Sequence, residues 1–377
     1  MSSLLALLAL LFVIYTYFGF PLLLWLRARA VVAATPQMHK EQWPEVTIVI
    51  AAFNEASHIE AKLQSLSQLD YPSERWQVVL VDDGSTDDTV ARAEALKLPW
   101  LRVLKLSQNS GKPVALNAAM KCVETEYCVF MDARQRVSAN ALKSLIAHFD
   151  DPAIGAVSGE LMIVDEENPE QVNVGLYWRY EKALREMESR LFSTSGATGA
   201  LYAIRSEYFQ PLHQDAILDD FDTPVNVLKL GKRVIFEPSA QVFDSSQSSL
   251  DDEFRRKLRT LTGNFQSFAH HAWLFSPTRN PIFWQFLSHK VFRLAVPWAL
   301  LILLPASALA GGWWWNLVFI GQVMFYALAL GAAKVDILKR NKLSSFAQTF
   351  VQLNLAAWLA AYRYYTGDVS ARWKAES

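Results

Sequence analysis

The chain has 377 residues, 36 basic and 37 acidic side chains for a formal net charge of −1, and a hydrophobic content of 52%. The balanced charge excludes a nucleic-acid binder that relies on a basic surface, and the apolar content excludes a disordered chain. The charges are unevenly placed: residues 1–26 carry none, and neither do the 40 residues between Arg293 and Lys334, so these stretches do not belong to an ordinary soluble domain.

In chain order, Leu4 to Leu26 is long enough to cross a hydrocarbon core of ~30 Å as a helix. No Lys or Arg precedes it and no small-residue cleavage site follows, which reads as an uncleaved anchor rather than a signal peptide. Then come four short apolar runs, Val46 to Ala51, Gln77 to Val81, Leu101 to Leu106 and Tyr127 to Met131, separated by helix-like patterns. Strands apolar on both faces and joined through helices predict a mostly parallel α/β sheet covered on both sides. In such sheets ligands bind beyond the carboxyl ends of the strands. Asn54-Glu55, Asp82-Asp83-Gly84 and Asp132 all follow strands on that edge. No G-x-G-x-x-G follows a strand, and Gly111-Lys112 is followed by Pro113 rather than Ser or Thr, so the dinucleotide and P-loop readings lose their support. Lys112 beside the start of a helix suits a phosphate, and a simple capped helix start explains the same residues equally well.

Further on, Leu218-Asp219-Asp220-Phe221-Asp222 precedes a short helix closed by Gly231; its acids suit the helix dipole, the preferred reading for Asp222. Phe254, Leu258, Leu261, Phe265 and Phe268 recur at helical spacing, giving an amphipathic helix over 251–270 with Arg255, Arg256 and Arg259 on its polar flank. Asn280 to Lys290 reads as an interfacial helix. Residues 294–333 divide at Gly311-Gly312 into two spans of roughly 20 residues, with Trp313, Trp314 and Trp315 at an aromatic belt. A fourth apolar segment, Phe346 to Tyr365, either spans or lies in the interface, which leaves the side of the C-terminus open. Arg27, Arg29, Lys290, Arg293, Lys334, Lys339, Arg340 and Lys342 flank the spans while the Gly311-Gly312 turn has no cation, so residues 27–293 are expected in the cytoplasm. The seven histidines show no H-x-x-x-H spacing, which argues against zinc. Cys122 and Cys128 are expected as free thiols.

Seven of these segments, taken in order, resemble the family 2 glycosyltransferases, most of all their membrane-bound, cellulose-synthase-like polysaccharide synthase branch. They are Ala51 to Glu55, Val81 to Asp87, Asn109 to Asn117, Asp132, Gly196 to Arg205, Leu218 to Phe221 and Arg255 to Arg259. The resemblance covers roughly residues 45 to 270. It implies a GT-A fold, and a domain plan of an N-terminal transmembrane helix (1–29), a cytosolic transferase domain (30–278), an interfacial helix (279–290), a membrane region of two or three helices (291–366) and a tail (367–377).

It also implies roles. Glu55, Asp83, Lys112, Asp132, Arg134, Arg256 and Arg259 would bind the nucleotide-sugar. Asp83, with Asp82 as its alternative, would accept an N–H of the base. Asp220, the second acid of the Asp219-Asp220 pair, would be the general base. The family's Asp-x-Asp, which holds a divalent ion on the diphosphate, reads Asp132-Ala133-Arg134 here. Asp132 alone could support Mg²⁺ or Mn²⁺, Arg134 could itself grip the phosphate, or Arg134 could turn away into a salt bridge. The Gln-x-x-Arg-Trp motif of processive members reads Arg256-Lys257-Leu258-Arg259-Thr260, keeping only the arginine.

The expected activity is inverting transfer from a UDP-sugar to a polysaccharide or lipid-linked glycan at a bacterial inner membrane, with the bilayer, the acceptor and export subunits as partners and no nucleic acid. Single-sugar transfer to a polyprenyl-type carrier is the alternative within the class. An inactive transferase-like scaffold or receptor is the alternative outside it.

Overall fold

The structure is a computed structural model that describes residues 1–31, 42–164, 176–245, 250–335, 338 and 341–367. The cations Lys339 and Arg340 and the tail 368–377 lie outside the described residues. The chain divides into two compact units.

One unit comprises Met1–Leu26, Ser249–Gln266 and Phe283–Val369. Among the described residues, three of its helices are long and apolar enough to cross a membrane: α1 (Ser2–Ala28), α9 (Phe283–Ala310) and α10 (Trp313–Lys334). Small residues let α1 and α9 approach closely, with Ala6, Ala9, Ala299 and Ala306 buried together around Leu303. Tyr15 and Ser288 share a hydroxyl–hydroxyl bond of 2.9 Å. The interfacial helix expected at 279–290 is not separate. From Phe283 it forms the first turns of α9, because no glycine or proline interrupts Phe283–Val296 and a π-helical turn, Phe286–Val291, carries the chain onward. Gly311 and Gly312, at φ +69° and +84°, turn the chain into α10. The fourth apolar segment forms α11 (Lys342–Thr366), whose Phe346 and Phe350 pack on Phe325 of α10.

The amphipathic helix is α8 (Leu250–His270). Its residues 250–266 cluster with the membrane helices rather than with the sheet, since Phe265 stacks on Tyr364 at 6.0 Å. The 30–278 boundary expected for the transferase domain is therefore interrupted.

The other unit, Arg27–Ser248 and Ser267–Ile282, holds one eight-stranded sheet in the order β3-β2-β1-β4-β7-β6-β8-β5. Its strands are β1 (Val46–Ala52), β2 (Trp76–Asp82), β3 (Leu101–Lys105), β4 (Tyr127–Asp132), β5 (Arg136–Val137), β6 (Ile154–Val164), β7 (Leu201–Arg205) and β8 (Arg233–Ser245). The first four pair in parallel, while β7 runs antiparallel between β4 and β6. Along β1, Val46, Ile48, Ile50 and Ala52 enter one core and Val49 and Ala51 the other. That alternation with no exposed side chain is the signature of a strand buried on both faces. The helices of this unit are α2 (Ile59–Leu66), α3 (Thr89–Ala95), α4 (Lys112–Met120), α5 (Ala141–Ile146), α6 (Leu176–Leu191) and α7 (Asp219–Lys229). The chain leaves β1 towards β2 on one side and reaches β4 on the other, so the crevice between β1 and β4 is the topological switch point.

Candidate active site

Register brings the acidic strand ends level. Ala51 pairs with Asp132 across β1–β4, and Ala52 with Asp82 across β1–β2. After β1 the backbone turns through Asn54 at φ +56°, a conformation Asn tolerates better than most residues. Asn54 accepts from the Thr86 N–H at 2.9 Å and donates its own N–H to Ser85 Oγ at 2.9 Å. The Glu55 N–H donates to Thr89 Oγ1 at 2.8 Å. These bonds tie the β1 turn to the β2 turn.

Gly84, at φ +75°, lets the β2 turn press on the loop before α4; a Cβ there would sit 2.6 Å from the carbonyl carbon of Gln108. Across this contact the fully buried Asp83 accepts from the N–H groups of Ser110 at 3.0 Å and Gly111 at 2.7 Å. Asp82 accepts from the Ser85 N–H at 3.2 Å. Asp83 thus clasps the loop that presents Lys112.

Lys112 begins α4 and lies between two acids, its Nζ 2.8 Å from Asp132 and 3.1 Å from Asp219. Burial disfavours its charge, but Asp132 and Asp219 outweigh burial and hold the ammonium above its usual range. Asp219 opens α7 and is buried. Burial and the charge of Asp132 raise its carboxyl against the pull of Lys112 and of Tyr202, whose hydroxyl lies 3.3 Å away. Asp222 in the same turn is also buried and faces His271 at 3.3 Å. Asp220 is the half-buried member of the trio. Its carbonyl accepts from the Ala197 N–H at 2.8 Å, and its carboxylate lies over Gly199, where a Cβ would stand 2.9 Å from Oδ2.

Of the three readings of Arg134, the structure places the salt bridge: its guanidinium donates to Asp244 on β8 at 2.5 Å, and Gln135 Nε2 joins the same oxygen at 3.2 Å. Burial works against this charge, and Asp244, then Glu55 and Asp132, restore it. Beneath this loop the fully buried Lys62 donates to the Gln135 carbonyl at 3.0 Å. Burial pushes its ammonium down to about 7, with Asp132 opposing. Glu55, Asp83, Lys112, Asp132, Arg134, Asp219 and Asp220 therefore share one unit. Arg256 and Arg259 are exposed on the part of α8 that belongs to the other unit.

A chelate of two carboxylates at the Asp132 position does not fit, because Arg134 stands where the second acid would be. A divalent ion held by Asp132 and by phosphate oxygens of a donor does fit, since such ions need only one or two carboxylates, and only Oδ1 of Asp132 is engaged by Lys112. Asp132 would hold the ion, which would neutralise charge on a leaving diphosphate.

Sequence reasoning missed Tyr202, Lys62, Asp244 and His271. Tyr202 lies inside the Gly196–Arg205 segment and was within reach. Asp244 is 110 positions from Arg134, and no local pattern marks that pairing.

Residues 47–212 match the family model described as glycosyl transferase family 2. A β-monoglucosyldiacylglycerol synthase of Synechocystis sp. is 33% identical over 128 residues, 33% of this chain and 27% of that protein. A poly-β-1,6-N-acetyl-D-glucosamine synthase of Staphylococcus aureus is 30% identical over 126 residues, 33% of this chain and 30% of that protein. The chain thus spans under a third of the length of these curated relatives. Among solved structures, a mannosyltransferase from Pyrobaculum calidifontis in complex with GDP-Man and Mn²⁺ superposes with a TM-score of 0.73 at 26% identity, covering 96% of this chain and 99% of that one.

Proposed function

We propose that the chain, whose residues 47–212 match glycosyl transferase family 2 and whose fold is that of the similar mannosyltransferase, is a family 2 glycosyltransferase that transfers a sugar, with inversion, from a nucleoside diphosphate sugar to a glycolipid or polysaccharide acceptor at a membrane. One observation carries this reading: Lys112 bridges Asp132 and Asp219 beside the half-buried Asp220, putting a fixed cation and an accessible carboxylate at one crevice. Lys112 is the point charge for the diphosphate. Asp220 takes the proton of the acceptor hydroxyl as it attacks the anomeric carbon from the face opposite the nucleotide. Asp219 and Tyr202 orient Lys112 and the start of α7. A divalent ion on Asp132 is supported by the Mn²⁺ of the similar mannosyltransferase.

The expectation of a UDP-sugar rests on a carboxylate that accepts an N–H of the base. Guanine offers such groups as uracil does, and the similar mannosyltransferase was solved with GDP-Man, so both donor classes fit. The three apolar helices and the lipid and polysaccharide acceptors of relatives support a multi-pass protein with its sheet domain in the cytoplasm. Single-sugar transfer to a lipid is the second reading. The absence of Gln and Trp around Arg259 favours it, because no indole is there to stack a growing chain.

Membranes containing the protein, offered labelled UDP- and GDP-sugars with and without EDTA, test the proposal. Transfer from one donor into a lipid-extractable or polymeric product is expected, falling with EDTA. Absence of transfer from every donor would overturn it, and full activity in EDTA would remove the ion.

A further inference from the structure

His213, Asp215 and His270 belong to none of the groups above, yet each offers a ligand atom, all within 4.8 Å of one another. His213 and Asp215 lie on the loop before α7, and His270 is the last residue of α8. The cluster was invisible as a spacing because His270 lies 55 positions after Asp215. The two imidazoles stack with centroids 4.2 Å apart at 24°. His270 Nδ1 is buried and has no hydrogen-bond partner, whereas a buried polar atom normally has one. Burial, then the neighbouring His213, lowers the pKa of His270, which favours the neutral imidazole that binds metals.

We propose that His213, Asp215 and His270 form a divalent transition-metal site, of the zinc type, separate in its ligands from Asp132. Two imidazoles and one carboxylate are a common zinc donor set, with water in the fourth position. Tetrahedral ligands at ~2.0–2.2 Å from the ion lie about 3.4 Å apart, and rotation of the exposed His213 and Asp215 side chains closes that difference. The bound ion would fasten the loop that leads into Asp219 and Asp220 to the end of α8, making occupancy of the site a condition on how firmly α7 is held.

The test uses the full chain in detergent, stripped with EDTA and titrated with Zn²⁺ and with Co²⁺, whose tetrahedral complexes absorb in the visible. One equivalent of Zn²⁺ and a Co²⁺ band are expected in the parent and in Asp132→Asn. His213→Ala, on an exposed loop, and the conservative His270→Gln should each weaken binding by at least roughly tenfold to 100-fold, since losing even an outer-shell partner of a metal costs that much. Binding in His213→Ala equal to the parent, no Zn²⁺ bound by the parent, or loss of the equivalent in Asp132→Asn would each overturn the site. None of these readouts depends on transferase activity, so the site stands or falls independently of the proposed reaction.

Discussion

At the scale of single residues, the site works through unequal burial of similar groups. Asp219, Asp220 and Asp222 sit in one helical turn, but Asp219 and Asp222 are buried against Lys112 and His271 while Asp220 keeps an exposed face. Only a group with that access can reach an acceptor proton. Gly199 leaves room for it: Gly199→Ala puts a methyl 2.9 Å from Asp220 Oδ2 and should displace the carboxylate. Because a misplacement near 1 Å can cost roughly 10²-fold, kcat should fall by about that factor with donor affinity unchanged. An unaltered kcat would detach Gly199 from the base.

Lys62 gives a second residue-level prediction. Its folded pKa, about 7 against 10.5 for an ordinary lysine, means that the native state binds fewer protons than the unfolded one between those values. Stability contributed through this group therefore rises with pH across that window, and is lowest below about 7, where burial of the charged form is fully unfavourable. Lys62→Met should raise the melting temperature most near pH 6.5, with the advantage shrinking by pH 9. A pH-independent difference would show that Lys62 keeps its proton in the fold as it does in the unfolded chain.

At the scale of elements, the acidic ends of β1, β2 and β4 were legible in the sequence because both the strands and the residues that follow them are local patterns. The Asp219-Asp220 pair and Lys112 were legible as motifs, yet their union through one ammonium was not, since it depends on β4, α4 and α7 converging. Arg134 shows the limit. Three partners were open from sequence, and a remote strand, β8, supplies the actual one in Asp244. Asp244→Asn should therefore free the Arg134 guanidinium and disturb the Asp132 turn, weakening donor binding severalfold in calorimetry; unchanged affinity would show that the pair is only structural. The break between interfacial and spanning helix at residue 290 was misread for a related reason: charge and aromatic content mark an interface, but helix continuity is set by whatever interrupts the backbone, and nothing does.

At the scale of the whole molecule, the near-neutral net charge conceals two unlike parts. One unit gathers apolar helices whose close contacts are made by alanines. Ala6→Leu would overfill the α1–α9 contact, where Ala6 is wholly buried, at a cost of about 1–3 kcal/mol. That should lower thermal stability in detergent without changing donor affinity in the other unit, and a loss of affinity would mean the two units are coupled. The other unit carries every acidic residue assigned to chemistry. The GT-A fold and the match of residues 47–212 to glycosyl transferase family 2 rest on the motifs and the sheet together, whereas sugar and acceptor are choices made by side chains that no motif records.

The central claim is that Asp220 is the base of an inverting transfer, and the most direct measurement is donor binding and sugar transfer in the same preparation of Asp220→Asn. Nucleotide-sugar affinity should match the parent, while transfer falls by ~10²–10⁴, the usual worth of a positioned base. Transfer at the parent rate by a correctly folded Asp220→Asn protein would contradict the account.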